Sequence, residues 1–222
     1  MEPMNEPNQN DLNGAGIDPA APGQPGSSTA ARGAESGSAR QRLTVVAGPT
    51  AVGKGTVVSR LLERYPQIYL SVSATTRSPR PGEIDGQHYH FMSPERFQEL
   101  IDKDQLLEWA TVHGVHNYGT PREPIERALA EGRPALLEID LAGVRLVKQK
   151  MPDARFIFIE PPSWDELVSR LRGRGSETEE EMARRLETAR VELKAAGEFD
   201  HVLINDEVER TVDELASLMG LS

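Results

Sequence analysis

The sequence contains no cysteine, which excludes disulfides and every metal site built on thiolates. No stretch approaches the roughly 20 consecutive apolar residues that a membrane-spanning helix needs. No basic-then-apolar leader opens the chain. Positive charge is in deficit: 25 Lys and Arg against 35 Asp and Glu give a net charge of −10. A general binder of nucleic acid or of anionic membrane would carry a basic footprint instead. The expectation is a soluble cytoplasmic protein with no nucleic-acid or membrane partner. Internal repeats are also missing, and 222 residues suit one domain with appendages and a substantial core. Residues 1–40 have no aromatic, and Met1, Met4, Leu12 and Ile17 are their only large aliphatics. Rich in Gly, Pro, Ala, Ser and Asn, this segment cannot bury enough apolar surface to offset its ordering entropy, so it is expected to be a disordered tail.

What the chain does have is the run Gly48-Pro49-Thr50-Ala51-Val52-Gly53-Lys54-Gly55-Thr56. An apolar run over 43–47 precedes it and a helical pattern from Val57 follows it. Strand, glycine-rich turn and helix in that order make a phosphate cradle. The glycines let the backbone turn tightly and approach an anion. Successive N–H groups and the helix N-terminus surround it with partial positive charge, and Lys54 adds a full one. Gly55 stands where the general motif carries Ser or Thr for magnesium, with Thr56 one place later. No direct side-chain metal ligand is assigned.

From Arg42 onward strand and helix patterns alternate, the mark of an α/β fold with a parallel sheet. Core strands are predicted near 43–47, 68–73, 135–139, 155–159 and 201–204, and shorter ones at 88–92, 106–112 and 115–119. Ser93 with Pro94 predicts a helix start, as do the capping boxes Thr120-Pro121-Arg122-Glu123 and Ser163-Trp164-Asp165-Glu166. The last helices are predicted from 178 and from 208. Ligands of such sheets sit beyond the C-terminal strand ends, where Gly48, Ser73, Asp140 and Glu160 fall.

A second anion site is suggested by Arg77 and Arg80, three apart in a proline-pinned loop. Two guanidinium groups can fork around one phosphate, and the nearby Tyr89 phenol can donate to the same oxygens. The five histidines do not add a site: His88 with His90, and His113 with His116, form pairs without a third ligand.

With these residues in view the sequence resembles the guanylate kinase family. The resemblance is carried, in order, by Gly48 to Thr56, Ser71 to Gly82, Gly86 to Phe91, Leu107-Glu108-Trp109-Ala110, Tyr118-Gly119-Thr120 and Leu137-Glu138-Ile139-Asp140. It continues through Arg170-Leu171-Arg172-Gly173-Arg174-Gly175 to Ile204-Asn205-Asp206, and so covers about residues 42–220. It implies a P-loop nucleoside monophosphate kinase fold: a core at 41–73 and 121–222, a GMP-binding region at 74–120 and a helical lid at about 170–190. It implies transfer of the γ-phosphoryl of ATP to GMP, and to dGMP, with Mg²⁺, in purine nucleotide metabolism and GMP recycling. Residues 48–56 match the ATP loop. Arg77, Arg80, Tyr89 and Tyr118 match the GMP-phosphate contacts; Ser73, Glu108, Thr120 and Asp140 match the guanine contacts. Lys54, Arg170, Arg174 and Arg185 match the catalytic cations. Monomer and homo-oligomer stay equally open.

The base chemistry agrees. Guanine offers N1–H and N2–H₂ donors that carboxylates at Glu108 and Asp140 would take, and an O6 acceptor for the Thr120 hydroxyl. Adenine would leave those groups unpaired. Two other readings stand beside this one: a kinase for AMP or a pyrimidine nucleotide, and a kinase-like binding module without catalysis. The second is opposed by Lys54, both loop glycines and the arginines. A GTPase would carry an Asn-Lys-x-Asp motif, which the sequence lacks.

Overall fold

The computed structural model describes residues 43–112, 114–172 and 179–221. The tail expected at 1–40 lies outside the described residues. The core is a parallel sheet in the order β2-β7-β1-β8-β9, with β1 at Leu43–Ala47, β2 at Tyr69–Leu70, β7 at Ala135–Glu138, β8 at Arg155–Glu160 and β9 at His201–Ile204. Side chains alternate along each strand and so build two cores. On one face Val46, Leu136, Ile157, Ile159 and Leu203 pack against Val57, Val58 and Leu61 and against Val212, Leu215 and Met219. These belong to α1 (Lys54–Arg64) and α7 (Val208–Met219). On the other, Val45, Ala47, Leu137, Phe156 and Phe158 meet Ile125, Val144 and Val147, from α3 (Arg122–Ala130) and α4 (Leu141–Lys150). β1 therefore sits in the middle, and the loop that follows it opens at the C-terminal edge of the sheet.

A second, four-stranded sheet runs β4-β3-β6-β5: β3 is Ala74–Thr75, β4 His90–Phe91, β5 Leu106–Val112 and β6 His116–Pro121. α2 (Pro94–Asp102) covers it, and Phe97 and Leu100 pack on Ala74 and Leu106. Ser93 caps α2 by accepting from the Arg96 N–H at 3.2 Å, as the Ser-Pro signal predicts. Two helices complete the fold, α5 (Trp164–Arg172) and α6 (Glu179–Lys194), joined through Leu167, Leu171 and Ala189. Residues 173–178 between them lie outside the described residues.

Two expectations are corrected. The single strand predicted at 68–73 is two pieces in two sheets. Ser71 still donates to the Leu136 carbonyl at 2.9 Å, but the Ser73 carbonyl already accepts from His90 at 2.8 Å. Residues 71–73 are thus the crossing point between sheets, and an apolar-polar alternation continues through both. The capping box at Thr120 does not form: Pro121 precedes α3 and no side chain caps it. The Thr120 hydroxyl is spent elsewhere, as described below.

Phe97 is fully buried and is the largest apolar group holding α2 to the second sheet. Phe97→Ala is expected to cost about 3–5 kcal/mol. Denaturant unfolding measures this, and an unchanged midpoint would contradict the packing.

Candidate functional site

The turn after β1 is held by its carbonyls. Val52 O accepts from Asn205 Nδ2 at 2.8 Å and from Arg170 Nη1 at 3.0 Å. Lys54 Nζ reaches back to Gly48 O at 2.5 Å and Pro49 O at 3.3 Å. Backbone conformation forces the glycine at 53: its φ is 97°, and an added Cβ would lie 2.6 Å from Asn205 Nδ2. A Cβ at Gly48 would collide with the Ile159 carbonyl of β8. Ala51, at φ 64°, takes a left-handed conformation without being glycine, a local strain. Gly53 supplies no capping side chain to α1, and the first turn of α1 carries no acid. The helix dipole at this N-terminus favours an anion.

In the second sheet Arg77, Tyr89 and Tyr118 come together as the sequence predicts. Arg77 Nε donates to Tyr118 Oη at 3.2 Å, its guanidinium lies 5.4 Å from the Tyr89 ring centre, and the two tyrosine rings stand edge to face at 5.8 Å. Burial raises the Tyr89 phenol. The sequence reading missed the partner of Arg77, which is Glu83. Its two carboxylate oxygens take Arg77 Nη1 at 2.9 Å and Nη2 at 2.8 Å, and Oε2 also accepts from the Arg80 backbone N–H at 2.6 Å. The Arg77 guanidinium holds the Glu83 carboxyl well below the usual carboxylate range. Arg80 joins the cluster through its backbone, with its side chain at the exposed rim. An acid six residues after Arg77, in a loop pinned by prolines, was the available signal.

Glu108, Thr120 and Asp140 converge between the two sheets. Thr120 Oγ1, fully buried, donates to Glu108 Oε1 at 2.5 Å. Asp140 Oδ1 caps α4 by accepting from the Gly143 N–H at 2.7 Å. A Cβ on Gly143 would lie 3.3 Å from Asp140 Oδ1 and 3.5 Å from Glu108 Cδ, so the two carboxyls flank one small residue. Desolvation pushes the Glu108 carboxyl up to about 7, against the Thr120 bond; Asp140 adds to the rise. Gly119 lets the strands close up here, since its Cβ would meet Glu108 O at 2.8 Å. Ser73 lies at the crossing point already described.

Of the expected catalytic cations, Lys54 is in the turn, Arg185 is half-buried on α6, and Arg174 lies outside the described residues. Arg170 lies beside the turn, bonded to Val52 O, to Asn205 O at 3.2 Å and to Glu166 at 2.9 Å. Sequence reasoning gave no role to Asn205, whose buried amide also takes the Thr211 hydroxyl at 3.2 Å; its signals were its place just past an apolar strand and in the last of the matching motifs.

A family model described as guanylate kinase matches residues 40–221. A guanylate kinase of Rhodococcus jostii is 55% identical over 181 residues, covering 81% of this chain and 87% of its own. One of Cutibacterium acnes is 57% identical over 179 residues, covering 81% and 90%. Among solved structures, the guanylate kinase of Anaplasma phagocytophilum superposes with a TM-score of 0.62 at 31% identity, covering 82% of this chain and 86% of its own.

The carbonyl pins of the turn are open to test. Asn205→Asp puts an oxygen where Val52 O needs a donor, at a cost of about 1–3 kcal/mol. A lower Tm and weaker binding of inorganic triphosphate are expected; wild-type values of both would show that the pin is dispensable.

Proposed function

The chain belongs to the guanylate kinase family and is an ATP:GMP phosphotransferase, and from this we propose how its own residues divide the work. Residues 48–56 hold the ATP phosphates, with Lys54 on the β and γ oxygens. Arg77, Arg80, Tyr89 and Tyr118 hold the GMP phosphate, with Glu83 keeping Arg77 extended until the phosphate arrives. Ser73, Glu108 and Asp140 read guanine; Thr120, expected to donate to O6, instead gives its one hydroxyl proton to Glu108 and so orients that carboxylate. The observation that carries this assignment is the Glu108–Thr120–Asp140 cluster at the same sheet edge as the turn. It is an acceptor-rich cluster that suits N1–H and N2–H₂ and leaves adenine unpaired, a kind of mismatch that can discriminate by roughly 10⁴–10⁵. In domain terms, residues 74–120 form the GMP-binding region and about 170–190 the lid, on a core made of 41–73 and 121–222.

The reaction proposed is direct in-line transfer. The acceptor oxygen of GMP is already ionised near neutral pH, so no strong general base is required. Positioning and charge neutralisation supply the rate. Lys54, Arg170, Arg174 and Arg185 are the cations assigned to the transferring group, and the lid would exclude water. Arg170 sits within reach of that role, since its guanidinium already borders the turn.

The donor set fits a magnesium ion carried on the substrate rather than caged by the protein. Gly55 has no hydroxyl and Thr56 is exposed. Among the described residues no group of three or more histidines and carboxylates could hold a metal. Phosphate and water oxygens would hold it. Such an ion would supply positive charge to the phosphates of the nucleotide. dGMP as a second acceptor, a place in GMP recycling and a cytoplasmic location belong to the same proposal; no helix among the described residues is long and apolar enough to cross a membrane.

Two measurements test this. Following ADP release with GMP, dGMP, AMP and UMP as acceptors should give turnover with the guanine nucleotides alone. Lys54→Ala should lower kcat by about 10²–10³-fold, the scale of losing one charge-stabilising donor, while leaving Tm within a few degrees. Near-normal turnover in that variant would sink the role of Lys54.

The pH dependence has a definite sign. Guanine needs ionised Glu108, and below about 7 the empty site holds it protonated. KM for GMP should therefore rise as pH falls, up to about tenfold per unit. Glu108→Gln should bind GMP weakly at every pH and lose the slope. A slope surviving in that variant would move the titrating group elsewhere.

A further inference from the structure

The roles assigned above do not use Glu192. The other acids of α6, Glu179, Glu180, Glu181 and Glu187, are exposed, whereas Glu192 is only 7% exposed. Its carboxylate accepts the backbone N–H of Thr50, inside the phosphate-binding turn, while Oε2 is buried without a hydrogen-bond partner. The charged groups facing it are Lys54, from α1, and Asp140, from the N-terminus of α4; Lys54 in turn faces Glu138 at the end of β7. Seven residues before Glu192 on the same helix is Arg185. Seven residues are nearly two full turns, so the two side chains share one stripe of α6.

We propose that Glu192 is a proton-linked positioning residue of the ATP site: its carboxylate anchors the Thr50 amide and faces Lys54 in the empty turn, and it takes up a proton from solvent when the triphosphate enters. This rests on the reading of residues 48–56 as the ATP loop. A buried carboxylate with one oxygen unpaired is costly, and a facing ammonium makes it tolerable. The triphosphate engages that ammonium and brings several negative charges to the same turn, and like charge nearby favours the neutral acid. Protonation leaves a carbonyl oxygen for Thr50 and gives the unpaired position an O–H to donate. The Thr50 anchor therefore survives while the repulsion disappears. Burial already pushes this carboxyl up to about 7, outweighing the pull of Lys54 and the Thr50 amide, so the proton is available near neutrality.

The sign follows from linkage. If the acid is held more tightly with nucleotide bound, ATP affinity is greatest below about pH 7 and falls as pH rises, by up to tenfold per unit. This is opposite to the trend for GMP. Titration calorimetry of the imido analogue of ATP with Mg²⁺ into the full chain, in two buffers of different ionisation enthalpy, counts the protons. Wild type should take up several tenths of a proton more per nucleotide than Glu192→Gln, whose amide oxygen still accepts from Thr50. KM for ATP should climb with pH in wild type and stay flat in the variant. Equal proton counts, or equal slopes, overturn the proposal. Should Glu192→Gln fail to fold, infrared difference spectra of the wild-type chain decide: a protonated-carboxyl band gained on adding the analogue supports the proposal, and its absence overturns it. Wild type that binds no analogue overturns the ATP reading itself, whereas binding with an unchanged proton count overturns only the role of Glu192.

Discussion

A turn that is to offer N–H groups to a polyanion must hold its shape mainly by other groups. In this protein the shape is held largely from the carbonyl side. Val52 O is fixed by Asn205 and Arg170, and Gly48 O and Pro49 O by Lys54. Two of the three donors, Asn205 and Arg170, lie more than 100 residues along the chain from the turn, so the turn is rigid only within the finished fold. The glycines follow from the same requirement: side chains at 48 and 53 would strike Ile159 and Asn205.

The second constraint is charge. Glu108, Asp140 and Glu192 stand around a site that must admit two phosphate-bearing molecules, in a chain whose net charge is −10. Each acid is restrained differently. Glu108 is bonded to a buried hydroxyl, Asp140 is tied to a helix N-terminus, and Glu192 holds a backbone amide. Glu83 sits apart from these, paired with Arg77 at both oxygens. Burial raises the Glu108 and Glu192 carboxyls, whereas pairing with Arg77 lowers that of Glu83; on the roles proposed for them, GMP and ATP binding would respond to pH in opposite directions.

The family, the parallel core and the turn were legible because short stretches enforce them: glycines at fixed spacing, alternating apolar runs and a lysine at the helix start. The convergence of Arg77, Tyr89 and Tyr118, and of Glu108, Thr120 and Asp140, followed from motifs kept in order. What the sequence concealed depends on contacts distant along the chain. The strand read at 68–73 divides between two sheets because pairing partners, not propensity, change between Ser71 and Ser73. Thr120 looked like a helix cap because its local pattern fits one, yet a half-buried glutamate twelve residues earlier claims its hydroxyl. Glu192 resembles its exposed neighbours on α6, and only packing against residue 50 distinguishes it.

Asn205 lies beyond the last strand of the core sheet, more than 150 residues after the turn it braces. During synthesis the glycine-lysine motif emerges well before the residue that braces it. A growing polypeptide therefore carries a nucleotide-binding signature long before it carries the scaffold for one.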